Sequence, residues 1–265
     1  MNKFKIFYFF AVILIAGCST DHVDSEKSSD ETKTKEAATL VQEIISATRE
    51  YYGSSEIDSK SITFNFREHT YTYSPSVDGL TRSRITEDRT GRLIQDKWQH
   101  DDIVRTIDTV NTPLDDKTKK LYMNSINSVF YFAFLPKSLN DPAVIPQLLD
   151  TVEITGEPYH KIQVTFQEEG GGEDHEDIFL YWIHSENNTM DYLAYKYFTE
   201  GGGMRFREAI NPRSVNGIVF QDYINYKPSK EEQAFSELDK AFNNGALTEV
   251  SRIELKDVVV SDVSD

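Results

Sequence analysis

The chain has 265 residues, 28 basic against 44 acidic side chains, a formal net charge of −16 and one cysteine. That length is ample for a buried core in one large domain or two small ones, and 14 Tyr with 16 Phe set it apart from disordered acidic polymers. The charge excludes binding of a polyanion such as a nucleic acid, which needs clustered Lys and Arg. One cysteine excludes both an intrachain disulfide framework and a Cys-rich zinc site.

Residues 1–17 read as a lipoprotein signal peptide. Lys3 and Lys5 supply a positive start, and Ile6 to Ile15 form an unbroken apolar run. The run is too short to span a bilayer core of about 30 Å, which takes about 20 helical residues. It ends in Ile15-Ala16-Gly17-Cys18, which resembles a bacterial lipobox. The resemblance implies cleavage before Cys18, diacylglycerol on its sulfur and an acyl chain such as palmitate on the new N-terminus. The membrane is then a partner through acylated Cys18. Each buried methylene contributes about 0.8 kcal/mol, and two or more chains give stable attachment. Ser19, not Asp, follows the cysteine; by likeness to enteric lipoproteins this implies the outer membrane, with the periplasmic or surface face left open. Loss of Lys3 and Lys5 takes the net charge from −16 to −18. Residues 18–34 are almost entirely small, polar or charged, and read as a flexible tether.

Ala37, Leu40, Val41, Ile44, Ile45 and Thr48 follow helical spacing, closed by Tyr51 and Tyr52 before Gly53. Ile62, Phe64 and Phe66 alternate with polar residues as a half-buried strand, and His69, Tyr71 and Tyr73 continue the pattern in a partner strand. Residues 79–110 predict two or three short strands. A second helix is predicted over Asp116 to Leu135, stopped by Pro136 and buried nearly all round in its C-terminal half.

From 150 to 226 the pattern is β almost throughout. His160, Ile162, Val164 and Phe166 alternate with Lys161, Gln163 and Thr165, and further runs follow at 178–182, 190–198, 204–210 and 218–226. The glycine triplets Gly170–Gly172 and Gly201–Gly203 fall between runs and read as turns of an antiparallel meander. Neither leads into a helix or a Gly-Lys-Ser/Thr, so a phosphate cradle is rejected. Between 178 and 198 the strands are apolar on both faces, Ile178 and Trp182 on one and Phe179, Tyr181 and Ile183 on the other. Both faces must therefore be covered. A third helix around Phe235 to Phe242 and a strand from about Val250 to Val260 complete the expectation. The domain organisation is a signal peptide at 1–17, the tether at 18–34, one domain at 35–228 and a helix-and-strand appendage at 229–265.

This order of lipobox, tether, helix, antiparallel strands and long meander resembles the lipoprotein-localisation carrier and receptor (LolA/LolB-like) fold. The stretch Asn127-Ser128-Val129-Phe130-Tyr131-Phe132, the tract from Gly170 to Asp177 and Phe206-Arg207-Glu208-Ala209 are also similar to an uncharacterised family of Gram-negative envelope lipoproteins with that fold. The resemblance implies an α+β fold, an antiparallel half-barrel (incomplete β-barrel) with helices lidding an apolar concave face that binds acyl chains. The cavity candidates are then Phe64, Phe66, Tyr71, Phe130, Trp182, Tyr192, Phe206 and Phe220, with Arg67, His175, Asp177, Arg207 and Glu208 as polar candidates.

No nucleophile elbow, zincin, Walker or EF-hand motif is present. Three clusters carry residues suited to chemistry. Glu168 to Asp177 concentrates carboxylates around His175 and is able to hold a hard cation, but a solvated acidic turn is preferred. His100-Asp101-Asp102 beside Trp98 offers an acid–base pair, or merely a surface turn. Arg67-Glu68-His69 with Arg205, Arg207 and Glu208 places an arginine where it can grip an anionic headgroup, although a structural salt bridge is favoured. The leading expectation is a non-enzymatic, lipid-anchored envelope protein binding an apolar or amphiphilic ligand. No catalytic residue, metal ligand or cofactor is assigned, and the oligomeric state stays open. The alternatives are an envelope hydrolase, metal-dependent or acid–base, built on His175 and its carboxylates or on His100, and an outer-membrane protein–protein interaction module.

Overall fold

The computed structural model describes residues 23–169, 176–198, 201–230 and 232–263. The signal peptide, Cys18 and the stretch Gly170–His175 lie outside them. The chain divides into two units, Met1–Ala37 and Ala38–Asp265. Helix α1 spans Val23–Tyr51, so it begins inside the stretch expected as a flexible tether. The polar composition there denies the segment a core, but Glu, Lys and Ala remain good helix formers. No helix among the described residues is long and apolar enough to cross a membrane.

In the second unit α1 lays Val41, Ile44 and Ile45 into the core, joined by Tyr52 just past its end, whereas Leu40, expected on that stripe, stays exposed. The helix ends in a Schellman motif: Gly53 N donates to Glu50 O and Ser54 N to Arg49 O, both at 3.0 Å. Gly53 sits at φ +64°, and a Cβ there would stand 2.1 Å from the carbonyl oxygen of Gly217. Glycine is needed for both reasons.

Six strands follow: β1 Lys60–Phe66, β2 His69–Ser76, β3 Gly79–Glu87, β4 Leu93–Gln99, β5 Asp102–Ile107 and β6 Val110–Thr112. Helix α2, Asp116–Ala133, is capped by the Asp115 carboxylate, which accepts from Thr118 N at 2.8 Å. The meander comprises β7 Val144–Ile154, β8 Glu157–Phe166, β9 Ile178–His184, β10 Met190–Tyr197, β11 Gly203–Val215 and β12 Ile218–Pro228. A short helix α3, Leu238–Asn243, precedes β13 Leu247–Ile253 and β14 Lys256–Asp262.

These strands make two seven-stranded sheets, in the orders β14-β1-β2-β3-β4-β5-β6 and β13-β12-β11-β10-β9-β8-β7. All pairings are antiparallel. The fold is therefore α+β, an antiparallel half-barrel left open. Residues 229–265 are not an appendage. Strand β13 extends the second sheet and β14 pairs with β1 in the first, so the last two strands join the sheets at a corner. Asp222 fastens that corner, accepting from Leu255 N at 2.9 Å and from Arg213 Nη2 at 3.1 Å, while Arg213 Nη2 also donates to Leu255 O.

Three apolar clusters result. One face of the second sheet, with Phe179, Tyr181 and Ile183, packs under α1. Its other face, with Leu180, Trp182, Tyr192 and Phe206, packs under α3. The covering of both faces, inferred from residues 178–198, is thus supplied by two helices. Helix α2 packs Ile126 and Phe130 against Phe64, Tyr71, Tyr73 and Ile103 of the first sheet.

Candidate functional site

Between α2 and the α1-facing side of the second sheet lies a cavity of about 570 Å³, within the roughly 300–1,000 Å³ of small-molecule sites. Val129 and Phe132 of α2, Phe166 of β8, Phe179 of β9, Tyr195 of β10, and Ile253 and Leu255 give it apolar walls. Asn124, Asn127 and Ser128, on the exposed side of α2, form its polar rim. Phe66, Arg67, Asp177, Arg207, Asn225 and Ser251 also line it, with Tyr131 and Tyr197.

The aromatic walls are ordered by ring packing. Phe179 stacks on Tyr181 and on Tyr195, with centroids 6.0 and 5.8 Å apart. Phe132 reaches down from α2 to Tyr195 at 5.4 Å. Arg207 enters this cage from β11. Its guanidinium carbon lies 3.9 Å from the Phe132 centroid and 5.0 Å from that of Tyr195, which is cation–π geometry. Nη2 donates to Tyr195 Oη at 3.1 Å. Across the β11–β12 ladder Arg207 pairs with Asn225, whose Nδ2 donates to Ser251 Oγ at 3.2 Å.

Burial also shapes the titration of the surrounding phenols. Desolvation pushes the Tyr223 hydroxyl up to about 12, against the opposing hydrogen bond from Gln221 and the opposing charge of Arg207. It holds Tyr181 well above its ordinary value too, with Tyr131 adding to the rise. Tyr131 and Tyr181 share a hydrogen bond of 3.0 Å between their hydroxyls. Neither Tyr181 nor Tyr223 therefore supplies a phenolate to offset Arg207 at neutral pH.

The sequence candidates separate sharply by position. Phe66, Arg67, Asp177 and Arg207 meet at the cavity. Phe64, Tyr71, Phe130 and Phe220 are sealed in the core beneath α2, none more than 4% exposed. Trp182, Tyr192 and Phe206 lie on the opposite face of the second sheet, under α3. Adjacent strand residues point to opposite faces, so Phe206 and Arg207 cannot both face one cavity. Arg67 occupies the β1–β2 turn at φ +54°, not a strand position. The Glu208 carboxylate accepts from Tyr226 Oη at 2.8 Å and is not part of the lining. The favoured salt bridge is absent: among the described residues Arg207 is in no ion pair.

Phe132, Phe179, Tyr195 and Asn225 were missed. Their signal was strand parity, because Phe179 pairs with Tyr195 and Asn225 with Arg207, placing each pair on one face. His175 lies outside the described residues, and among those described no group of three His, Cys, Asp or Glu side chains is gathered to hold a metal. In the His100 cluster, Asp102 accepts from Lys119 Nζ at 2.7 Å, and Trp98 Nε1 donates to the His100 carbonyl.

Residues 5–255 match a family described as a family of unknown function, DUF6503. No curated protein matches the chain. Among solved structures it is similar to a LolA superfamily protein from Nitrosomonas europaea, at 14% identity and a TM-score of 0.45, covering 84% of this chain and 94% of that one. It is also similar to a domain described as an outer membrane lipoprotein-sorting protein from Vibrio parahaemolyticus, at 7% identity and a TM-score of 0.45, covering 85% and 95%. A third likeness is to the lipoprotein LppX of Mycobacterium tuberculosis, at 11% identity and a TM-score of 0.27, covering 62% and 91%.

Proposed function

The chain belongs to DUF6503, a family of unknown function, and from its geometry we propose that it is a lipid-anchored envelope protein that binds an apolar or amphiphilic ligand in the cavity under α2. The observation that carries this reading is the cavity itself. It holds about 570 Å³ of space between aromatic walls, with Arg207 and Asn225 among its lining. Space lined by apolar groups is favourable to fill with apolar matter.

The test is binding of a neutral fluorescent apolar probe, N-phenyl-1-naphthylamine, to the full chain. Saturable binding is expected, and Val129→Trp, which fills the cavity from α2, is expected to weaken it at least tenfold. Probe affinity unchanged in that variant would place the ligand elsewhere, and absence of saturable binding would end the proposal.

Anchoring rests on the run from Lys3 to Cys18. Acyl chains are the expected attachment, since a domain with a large negative charge is repelled by anionic lipid. Cys18→Ala is expected to move the chain from the membrane to the soluble fraction and to abolish metabolic labelling with palmitate. Labelling retained in that variant would refute lipidation at Cys18.

A further inference from the structure

A cation buried without an anion is costly, and proteins ordinarily pair it or leave it in water. Among the described residues Arg207 does neither. It is 7% exposed, and its Nε and Nη1 have no hydrogen-bond partner. Beside it Asn225 is 9% exposed, with Oδ1 equally unpartnered. Phe132, 3.9 Å from the guanidinium carbon, and the Tyr195 hydroxyl, which accepts from Nη2, hold the guanidinium in place, which leaves the N–H groups at Nε and Nη1 for an acceptor. Turning the Asn225 amide over would present its NH2 to the same acceptor while Oδ1 accepted from Ser251 Oγ. Of the polar groups lining the cavity, which include the Asp177 carboxylate, Arg207 and Asn225 thus offer donors to an anionic oxygen group, next to the apolar wall of Phe166 and Phe179.

We propose that Arg207, assisted by Asn225, anchors the anionic headgroup of a single-chain amphiphile, a fatty carboxylate, whose hydrocarbon chain lies along the aromatic wall. This rests on the ligand-binding reading above and names the class of ligand. A charge-assisted hydrogen bond formed in a desolvated site discriminates strongly against a neutral headgroup, because the analogue leaves the donors unpaired. Removing the cation breaks no ion pair among the described residues, and the burial cost it relieves offsets the lost contacts to Phe132 and Tyr195, so the unliganded fold should not weaken.

The experiment measures binding of oleate, methyl oleate and inorganic phosphate alone to the full chain and to Arg207→Met. Oleate is expected to bind the native chain at least tenfold more tightly than methyl oleate. Arg207→Met should lose at least tenfold in oleate affinity, keep methyl oleate within about twofold, and melt no lower than the native chain. Equal binding of oleate and methyl oleate by the native chain would overturn the anchor while leaving the ligand-binding reading intact, and that comparison needs no variant. An Arg207-dependent site for phosphate without oleate binding would mean a free-anion site and overturn the amphiphile. A variant that melts lower and binds both oleyl compounds equally weakly would make Arg207 a structural prop. If the neutral apolar probe fails as well, both readings fall together.

Discussion

Asp239→Ala is expected to lower the unfolding free energy by about 3–5 kcal/mol, the usual loss when one partner of a buried ion pair is removed. Asp239 on α3 receives Lys161 Nζ at 3.1 and 3.0 Å, and the two side chains are 3% and 7% exposed. Lys161 Nζ also donates to the Ser236 carbonyl and lies 5.4 Å from the Trp182 ring centroid. The pair thus fastens α3 over the face of the second sheet that carries Trp182, Tyr192 and Phe206. Alanine at 239 would leave the ammonium buried on an aromatic ring with one carbonyl acceptor. The paired replacement Lys161→Met with Asp239→Leu removes both charges and should be neutral or stabilising. Urea unfolding of the three chains decides it. A single variant within about 1 kcal/mol of the native chain would show that α3 is held by its apolar contacts instead.

The same pair marks a boundary of what sequence alone reveals. Lys161 falls in a strand whose alternation is clear, and the alternation assigns Ile162, Val164 and Phe166 to one face without difficulty. It does not say that the other face is also buried, nor that a helix nearly eighty residues later supplies the carboxylate. Residues 229–265 read as an appendage for that reason: β14 pairs with β1 at the other end of the domain, and β13 rejoins β12 only after the connection that carries α3. Elements built from local periodicity, such as α1, α2 and the meander, were legible. The strand pairings that place β13 and β14 were not, because two short apolar runs carry no signal for which sheet edge they complete.

The site shows the same division. Arg207 was identified as a residue able to face the half-barrel interior, and Phe206 beside it as cavity lining, though a strand cannot turn both to one side. Parity would have grouped Arg207 with Asn225 and Leu193, its ladder partners. What parity cannot supply is that Arg207 has no acidic partner among the described residues. An arginine in a strand with acids nearby in sequence predicts a salt bridge, and only the packed structure shows that its neighbours are rings.

A contrasting arginine cluster gives the second large effect. Asp96, 1% exposed, lies at the same level of the first sheet as Arg84 and Arg105, its partners on β3 and β5. Arg84 Nε donates to Oδ2 at 2.9 Å, and Arg105 donates through Nε to Oδ1 at 2.7 Å and through Nη2 to Oδ2 at 2.8 Å. Both guanidinium groups continue into α2. Arg105 Nη1 donates to Tyr122 Oη and Arg84 Nη1 to Ser125 Oγ. The network therefore seats the helix that forms one wall of the cavity. Burial pushes the Asp96 carboxyl up, but the hydrogen bonds and charges of Arg105 and Arg84 outweigh it and hold the carboxyl below its ordinary value. A carboxyl lowered in the folded state stabilises fully above the ordinary carboxylate range of about 4, and that stabilisation is lost as pH falls through the folded value. Asp96→Asn removes the charge at every pH and leaves two guanidinium groups facing a neutral amide. At pH 7 the variant should be less stable than the native chain by about 3 kcal/mol. The gap should close progressively below about pH 4, as the unfolded chain takes up a proton that the folded carboxyl resists, until the folded carboxyl itself becomes neutral. Urea unfolding of both chains at pH 7 and pH 3 measures the gap. A difference that stayed constant between the two would mean that shape and packing at position 96, rather than its charge, seat α2 on the sheet.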